Sequence, residues 1–123
     1  MPKRILIVDD SEMTRRLIST AVRSVGDVEF EEAKDGFEAL QKLPIGTFDL
    51  LFVDINMPNI NGLELIDYCK QSEQYKDIPI IIISTEDSLR DQQKGLELGA
   101  SDFLMKPIQL DRLVDVIHKT LGT

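Results

Sequence analysis

Ile5-Leu6-Ile7-Val8-Asp9-Asp10 runs four branched apolar residues straight into two carboxylates. Side chains alternate across a strand, so four apolar residues in a row suit one that is covered on both faces, the condition of a parallel sheet. The pattern returns at Leu50-Leu51-Phe52-Val53, which ends in Asp54, and at Ile80-Ile81-Ile82-Ile83, which ends in Ser84-Thr85. Two further segments differ. Val28-Glu29-Phe30-Glu31 alternates apolar with acidic residues, and Asp102-Phe103-Leu104-Met105 is short, so both suit the sheet's edges.

Between these runs the apolar period becomes helical. Met13, Leu17, Ala21, Val22 and Val25 fall on one stripe, as do Leu110, Leu113, Val114, Ile117 and Leu121. Phe37, Leu40 and Leu43 mark a shorter helix, and Leu63, Ile66 and Cys69 or Lys70 another. Ser11 and Asp87 are expected N-caps, and Gly26, Gly99 and Gly122 expected stops. The segment from Asp87 to Leu98 has only Leu89, Leu96 and Leu98 as large apolar residues, amid Arg90, Asp91, Gln92, Gln93 and Lys94. It reads either as a plain solvated helix or as one held loosely enough to be displaced. Five βα units follow, with no linker or repeat. The expected fold is α/β: a flavodoxin-like (βα)5 sandwich, a five-stranded parallel sheet of order 2-1-3-4-5 with helices on both faces, as one domain over residues 1–123.

Composition narrows the functions. The 123 residues carry 14 Lys plus Arg against 22 Asp plus Glu, a net charge of −8, which opposes direct binding to nucleic acid or an anionic membrane. Cys69 is the single cysteine, so an internal disulfide and a cysteine-based zinc cage are excluded. The apolar runs are too short to span a bilayer, and the one after Lys3-Arg4 stops at Asp9, too early for a signal peptide. A cytoplasmic protein is expected.

Open parallel sheets bind ligands beyond the carboxyl ends of their strands, where strand order reverses. At that edge this sequence sets Asp9-Asp10, Asp54, Ser84-Thr85 and Lys106-Pro107. Taken singly, an Asp-Asp pair is an ordinary helix start, Ser-Thr an ordinary cap and Lys-Pro an ordinary loop. Together they put three carboxylates into one crevice, which asks for a proton or a cation among them. Oxygen donors suit Mg²⁺, with Mn²⁺ as a substitute, whereas zinc would recruit His or Cys. With the charge neutralised, one carboxylate can attack phosphorus and form an aspartyl-phosphate, while Lys106 and the Ser84 hydroxyl face the phosphoryl oxygens.

The segments Val8-Asp9-Asp10-Ser11, Asp35-Gly36, Asp54-Ile55-Asn56-Met57-Pro58, Asn61-Gly62, Ser84-Thr85-Glu86, Gly99-Ala100 and Lys106-Pro107 carry a resemblance that covers essentially the whole chain. It resembles the receiver domain of two-component response regulators, of the CheY-like single-domain type. The resemblance implies that Asp54 accepts the phosphoryl group from a histidine kinase or phosphotransfer protein. It implies that Asp9, Asp10, Asp54 and the backbone carbonyl of Asn56 hold Mg²⁺, and that Lys106 contacts the phosphoryl group after pairing with the acceptor carboxylate. Ser84 matches the hydroxyl that moves inward, Phe103 the aromatic that swings with it, and Pro107 a residue after a cis peptide bond. Asn56 and Glu86 match positions that tune access of water. The output surface implied is the fourth helix, fifth strand and fifth helix, where a downstream protein binds. Such a domain catalyses only its own phosphoryl transfer and dephosphorylation and is not otherwise an enzyme. Phe103 stands where many chemotaxis regulators have Tyr, and Ser84 where they usually have Thr.

Three other functions compete. A pseudo-receiver scaffold would not use the acidic site, yet Asp9, Asp10, Asp54, Ser84 and Lys106 are all present. A Mg²⁺-dependent aspartyl-phosphate phosphohydrolase would need a second acid two residues after Asp54, where Asn56 stands. A nucleotide or flavin binder would need a glycine-rich first loop, here Asp9-Asp10-Ser11-Glu12.

Overall fold

The computed structural model describes residues 2–57, 60–85 and 89–123. In chain order these form β1 (Lys3–Val8), α1 (Glu12–Val25), β2 (Val28–Ala33), α2 (Gly36–Lys42), a 3₁₀ turn (Leu43–Ile45), β3 (Leu50–Asp54), α3 (Gly62–Gln71), β4 (Ile80–Ser84), α4 (Leu89–Leu98), β5 (Asp102–Met105) and α5 (Leu110–Leu121). The strands make one sheet of order β2-β1-β3-β4-β5, every pair parallel, as the apolar runs required.

Alternation along each central strand sorts its side chains into two cores. Leu6, Val8, Leu51, Val53, Ile80 and Ile82 point to the side of α2, α3 and α4, where they meet Ala39, Leu65, Ile66 and Cys69. Ile5, Ile7, Leu50, Phe52, Ile81 and Ile83 point the other way, onto Ile18, Ala21 and Val22 of α1 and Leu113 and Ile117 of α5. Full burial of a Leu or Ile side chain contributes about 1.5–3 kcal/mol, so these two layers are the main support of the sheet. β2 and β5 lie at the edges, as their patterns required.

The helical stripes hold with local corrections. Met13 and Phe37 are 82% and 59% exposed, so neither belongs to the core; both lie in the first turn of their helices, beyond the covered part of the stripe. Leu110 is also exposed. α2 stops at Lys42, and Pro44, which has no N–H to donate, continues it only as a 3₁₀ turn. In α3 it is Leu65, with Ile66 and Cys69, that is buried, whereas Leu63 is partly covered. Ser11 caps α1 by accepting from the Thr14 N–H at 3.2 Å, and Gly122 ends α5 in the left-handed conformation. The expected cap Asp87, with Pro58 and Glu86, lies outside the described residues.

α3 starts unusually close to the end of β3. A Cβ on Gly62 would stand 2.4 Å from the Asp54 carbonyl oxygen and 2.5 Å from the Ile55 Cα, and backbone cannot step aside as a side chain can. Gly62→Ala should therefore lower the unfolding free energy by about 1–3 kcal/mol. Gly122, at φ 72° with nothing within 4 Å, imposes on its alanine variant only backbone strain, about 1 kcal/mol. Urea unfolding of both variants checks the order; equal losses would mean that the α3–β3 approach is not tight.

Candidate functional site

Strand register brings the polar strand ends together. Val8 pairs with Val53, so the next residues, Asp9 and Asp54, emerge side by side from β1 and β3. Asp54 pairs with Ile83, which puts Ser84 one step further along, and Ser84 pairs with Met105, the residue before Lys106. The Lys106 N–H donates to the Ser84 carbonyl at 2.7 Å, carrying the ladder past the end of β5, and the Lys106–Pro107 bond is cis.

The two buried acids are fixed by the same local turn. Asp9 Oδ1 accepts the Ser11 N–H at 2.8 Å, and Asp54 Oδ1 accepts the Asn56 N–H at 2.9 Å. Each carboxylate thus folds back onto the backbone two residues ahead, as Asp does in tight turns. Arg15 braces the first from behind: its guanidinium donates to the Asp9 carbonyl at 2.8 Å and to Glu32 at 3.0 Å. Nothing in the helical period of α1 singled Arg15 out.

Asp9 is fully buried and Asp54 only 2% exposed, whereas Asp10 faces solvent. Lys106 Nζ lies 3.2 Å from Asp9 Oδ2 and 3.5 Å from Asp54 Oδ2, so one ammonium serves two carboxylates and stands nearer to Asp9. Burial is the largest influence on Asp54 and pushes its pKa up to about 6. The Asn56 N–H and Lys106 oppose this, while the charges of Asp9 and Asp10 add to it. Asp9 is likewise raised, by burial first, against the Ser11 N–H and Lys106.

The donor set fits a hard cation. Asp9, Asp10 and Asp54 each offer an oxygen, and the three lie within 4.8 Å of one another. Asp9 Oδ2 is buried and makes no hydrogen bond among the described residues, its ion-pair distance to Lys106 notwithstanding. Lys106 is thus the one cation facing this oxygen among the described residues, and it is shared with Asp54, so a further cation would add to its compensation. Softer donors are elsewhere: His118 is exposed on α5, and Cys69 is buried in the core with its thiol pushed up to about 11. All-oxygen coordination of this kind suits Mg²⁺ or Mn²⁺.

Ser84 and Phe103 complete the expected set. The Ser84 side chain is fully buried, and its Oγ accepts a 2.6 Å hydrogen bond from Gln92 of α4. Sequence reading missed Gln92, because a buried amide leaves no mark on hydrophobic period. Phe103 is partly buried against the α3–α4 core and lines a surface depression with Met105, Pro107, Ile108 and Arg112. Asn56 is exposed beside Asp54, and Glu86 falls outside the described residues.

The sequence model of the response regulator receiver domain matches residues 5–118. The chain belongs to this family. Chemotaxis protein CheY1 of Helicobacter pylori is 34% identical over 121 residues, 98% of each chain. Protein PilG of Pseudomonas aeruginosa is 33% identical over 114 residues, 93% of this chain and 84% of its own. The crystal structure of Vibrio cholerae chemotaxis protein CheY4 superposes with a TM-score of 0.88 at 34% identity, covering 98% of this chain and 99% of that one. The protein is a CheY-like receiver of two-component signalling, a signalling module rather than a metabolic enzyme. Receiver domains interact with histidine kinases and with downstream effectors. No helix among the described residues is long and apolar enough to cross a membrane.

The raised pKa of Asp54 has a consequence for stability. The folded carboxyl keeps its proton to about pH 6, whereas an unfolded one releases it near 3.8. Between those values the folded state binds more protons, so stability falls as pH rises; below 3.8 the penalty is absent and above 6 it is complete. Without metal, Asp54→Asn should be more stable than the parent by roughly 1–3 kcal/mol at pH 7, and the gap should close toward pH 4. Urea titrations in chelator at pH 4, 5, 6 and 7 measure it. A gap independent of pH would mean that the Asp54 charge is not the source.

Proposed function

We propose that Asp54 is the phosphoacceptor of this receiver. It would take a phosphoryl group from a histidine kinase or phosphotransfer protein with Mg²⁺ held by Asp9, Asp10, Asp54 and the Asn56 backbone carbonyl. The observation that carries this reading is the burial of Asp54 beside Asp9 with Lys106 Nζ within 3.5 Å of both. Carboxylates are seldom buried without a use that repays their desolvation.

The chain's own groups divide the work. An Asp54 oxygen forms the bond to phosphorus as the phosphorus–nitrogen bond of the donor imidazole breaks, and the departing nitrogen gains a proton. The Asn56 N–H, already on Asp54 Oδ1, holds the carboxylate in one orientation, so attack needs no search through rotamers. Lys106 is close enough to both acids to leave Asp54 for the phosphoryl oxygens while keeping Asp9 as a partner. When bound, Mg²⁺ supplies positive charge to those oxygens. Asn56, exposed beside Asp54, tunes the approach of water, and the family resemblance gives Glu86 the same role.

Phosphorylation adds about −1.5 to −2 charge and three acceptor oxygens. Ser84 is then drawn inward, Phe103 takes up the space it leaves, and the surface of α4, β5 and α5 that meets the downstream protein changes. This is a shift between two states, driven by the phosphoryl group's better fit to one of them. The working unit is residues 1–123, and the proposed setting is the cytoplasm. An apolar depression bounded by Met13, Leu17, Lys106, Pro107 and Ile108 opens beside the site and offers the donor protein a place to rest.

Intact mass after incubation with acetyl phosphate and Mg²⁺ tests the reading. One labile phosphoryl group should be gained, and neither Asp54→Asn nor a chelated sample should gain it. An unmodified wild-type chain, under conditions that label another receiver, would favour a scaffold without phosphotransfer.

A further inference from the structure

α4 is attached to the sheet in an uncommon way. Its buried residues are Gln92 and Gly95, one turn apart, rather than large apolar side chains. At Gly95 the helix comes so near that a Cβ would stand 2.3 Å from Ile82 Cδ1. At Gln92, 2% exposed, the contact is polar: Nε2 donates to Ser84 Oγ at 2.6 Å and to the Thr85 carbonyl at 3.3 Å. A carbonyl only accepts, so Thr85 fixes which end of the amide is the nitrogen. The amide nitrogen of a buried side chain thus closes on the last residue of β4 and the residue after it.

We propose that Gln92 is a positioning residue that latches the Ser84 hydroxyl to α4 and so holds the domain in its unphosphorylated arrangement. The proposal rests on the reading of Asp54 as phosphoacceptor. Among the described residues Gln92 is the hydrogen-bond partner of Ser84 Oγ, so Ser84 cannot move toward a phosphoryl group without stretching that bond or drawing α4 along. The displacement of one hydroxyl is thereby passed to a whole helix through a single amide. Gln92 also sets how readily the site accepts a phosphoryl group, because the latch must be broken first. Removing the amide while Ser84 stays buried leaves the hydroxyl unpaired in the resting state, which raises the free energy of that state relative to the bound one.

The test uses beryllofluoride with Mg²⁺ as a non-covalent phosphoryl probe, titrated by amide NMR. The variants are Gln92→Met, which keeps length and removes the N–H groups, and Gln92→Ala, which keeps helix propensity should the first fold poorly. Both should bind the probe roughly tenfold more tightly than wild type. In a Ser84→Ala background the same substitutions should leave affinity unchanged, because the gain requires the hydroxyl; a merely structural effect of Gln92 would persist there. The α4 amides should shift on probe binding in wild type and markedly less in Gln92→Met. Equal or weaker binding by the Gln92 variants, or a gain that survives Ser84→Ala, overturns the latch while leaving Asp54 as acceptor. Wild type that fails to bind the probe overturns the acceptor reading itself, and the latch with it.

Discussion

Two carboxylates buried side by side repel each other, and much of the surrounding structure is arranged to offset that repulsion. Asp9 and Asp54 stand together because β1 and β3 are parallel neighbours in a register that makes their C-terminal ends coincide. Each gains one backbone N–H from the turn that follows it, and they share one ammonium. That leaves the cluster of Asp9, Asp10 and Asp54 with more negative than positive charge. The pKa of Asp54 is raised first by its burial, and the charges of Asp9 and Asp10 add to that rise. A site short of positive charge favours a divalent cation, and an anionic group brought in with such a cation changes its electrostatics in one step.

The sheet and the acidic edge were legible in the sequence for a simple reason. Buried parallel strands admit few residue types, so Ile5–Val8, Leu50–Val53 and Ile80–Ile83 stand out, and a polar residue that ends such a run must emerge at the sheet's edge. Chain direction then places Asp9, Asp54, Ser84 and Lys106 at one end without further information. Helix faces were less legible. Met13 and Phe37 satisfy the periodicity yet lie in the first turns of their helices, where the described residues leave them largely exposed. Amphipathic period reports a direction around the helix and says nothing of how far along its axis the partner extends.

Polar anchoring was not legible at all. Arg90, Asp91, Gln92, Gln93 and Lys94 read as solvated surface, and most of them are; only the three-dimensional path of β4 distinguishes Gln92 from Gln93. Arg15 behaves likewise, being one of two adjacent arginines of which this one turns inward to the Asp9 carbonyl while Arg16 pairs with Glu12 in solvent. Sequence pattern detects hydrophobic burial because it recurs with the period of the backbone, whereas a single hydrogen bond between distant residues has no period to detect.

The unequal attachment of the helices follows the same logic. α1 and α5 cover one face of the sheet through Ile18, Val22, Leu113 and Ile117, and sliding them would cost contacts all along the helix. α4 is instead held at Gln92 and Gly95, with Leu96 and Leu98 only partly covered. Hydrophobic burial is nondirectional and yields gradually, whereas a hydrogen bond is lost over less than an ångström. Where a helix is held in part by a directional contact, that contact sets a defined threshold for its movement. In this chain that contact ends on Ser84, the last residue of β4 and the neighbour in register of the β5 end from which Lys106 reaches Asp9 and Asp54. α4, whose buried residues are Gln92 and Gly95, is thus tied through one hydrogen bond to the strand end beside the acidic site.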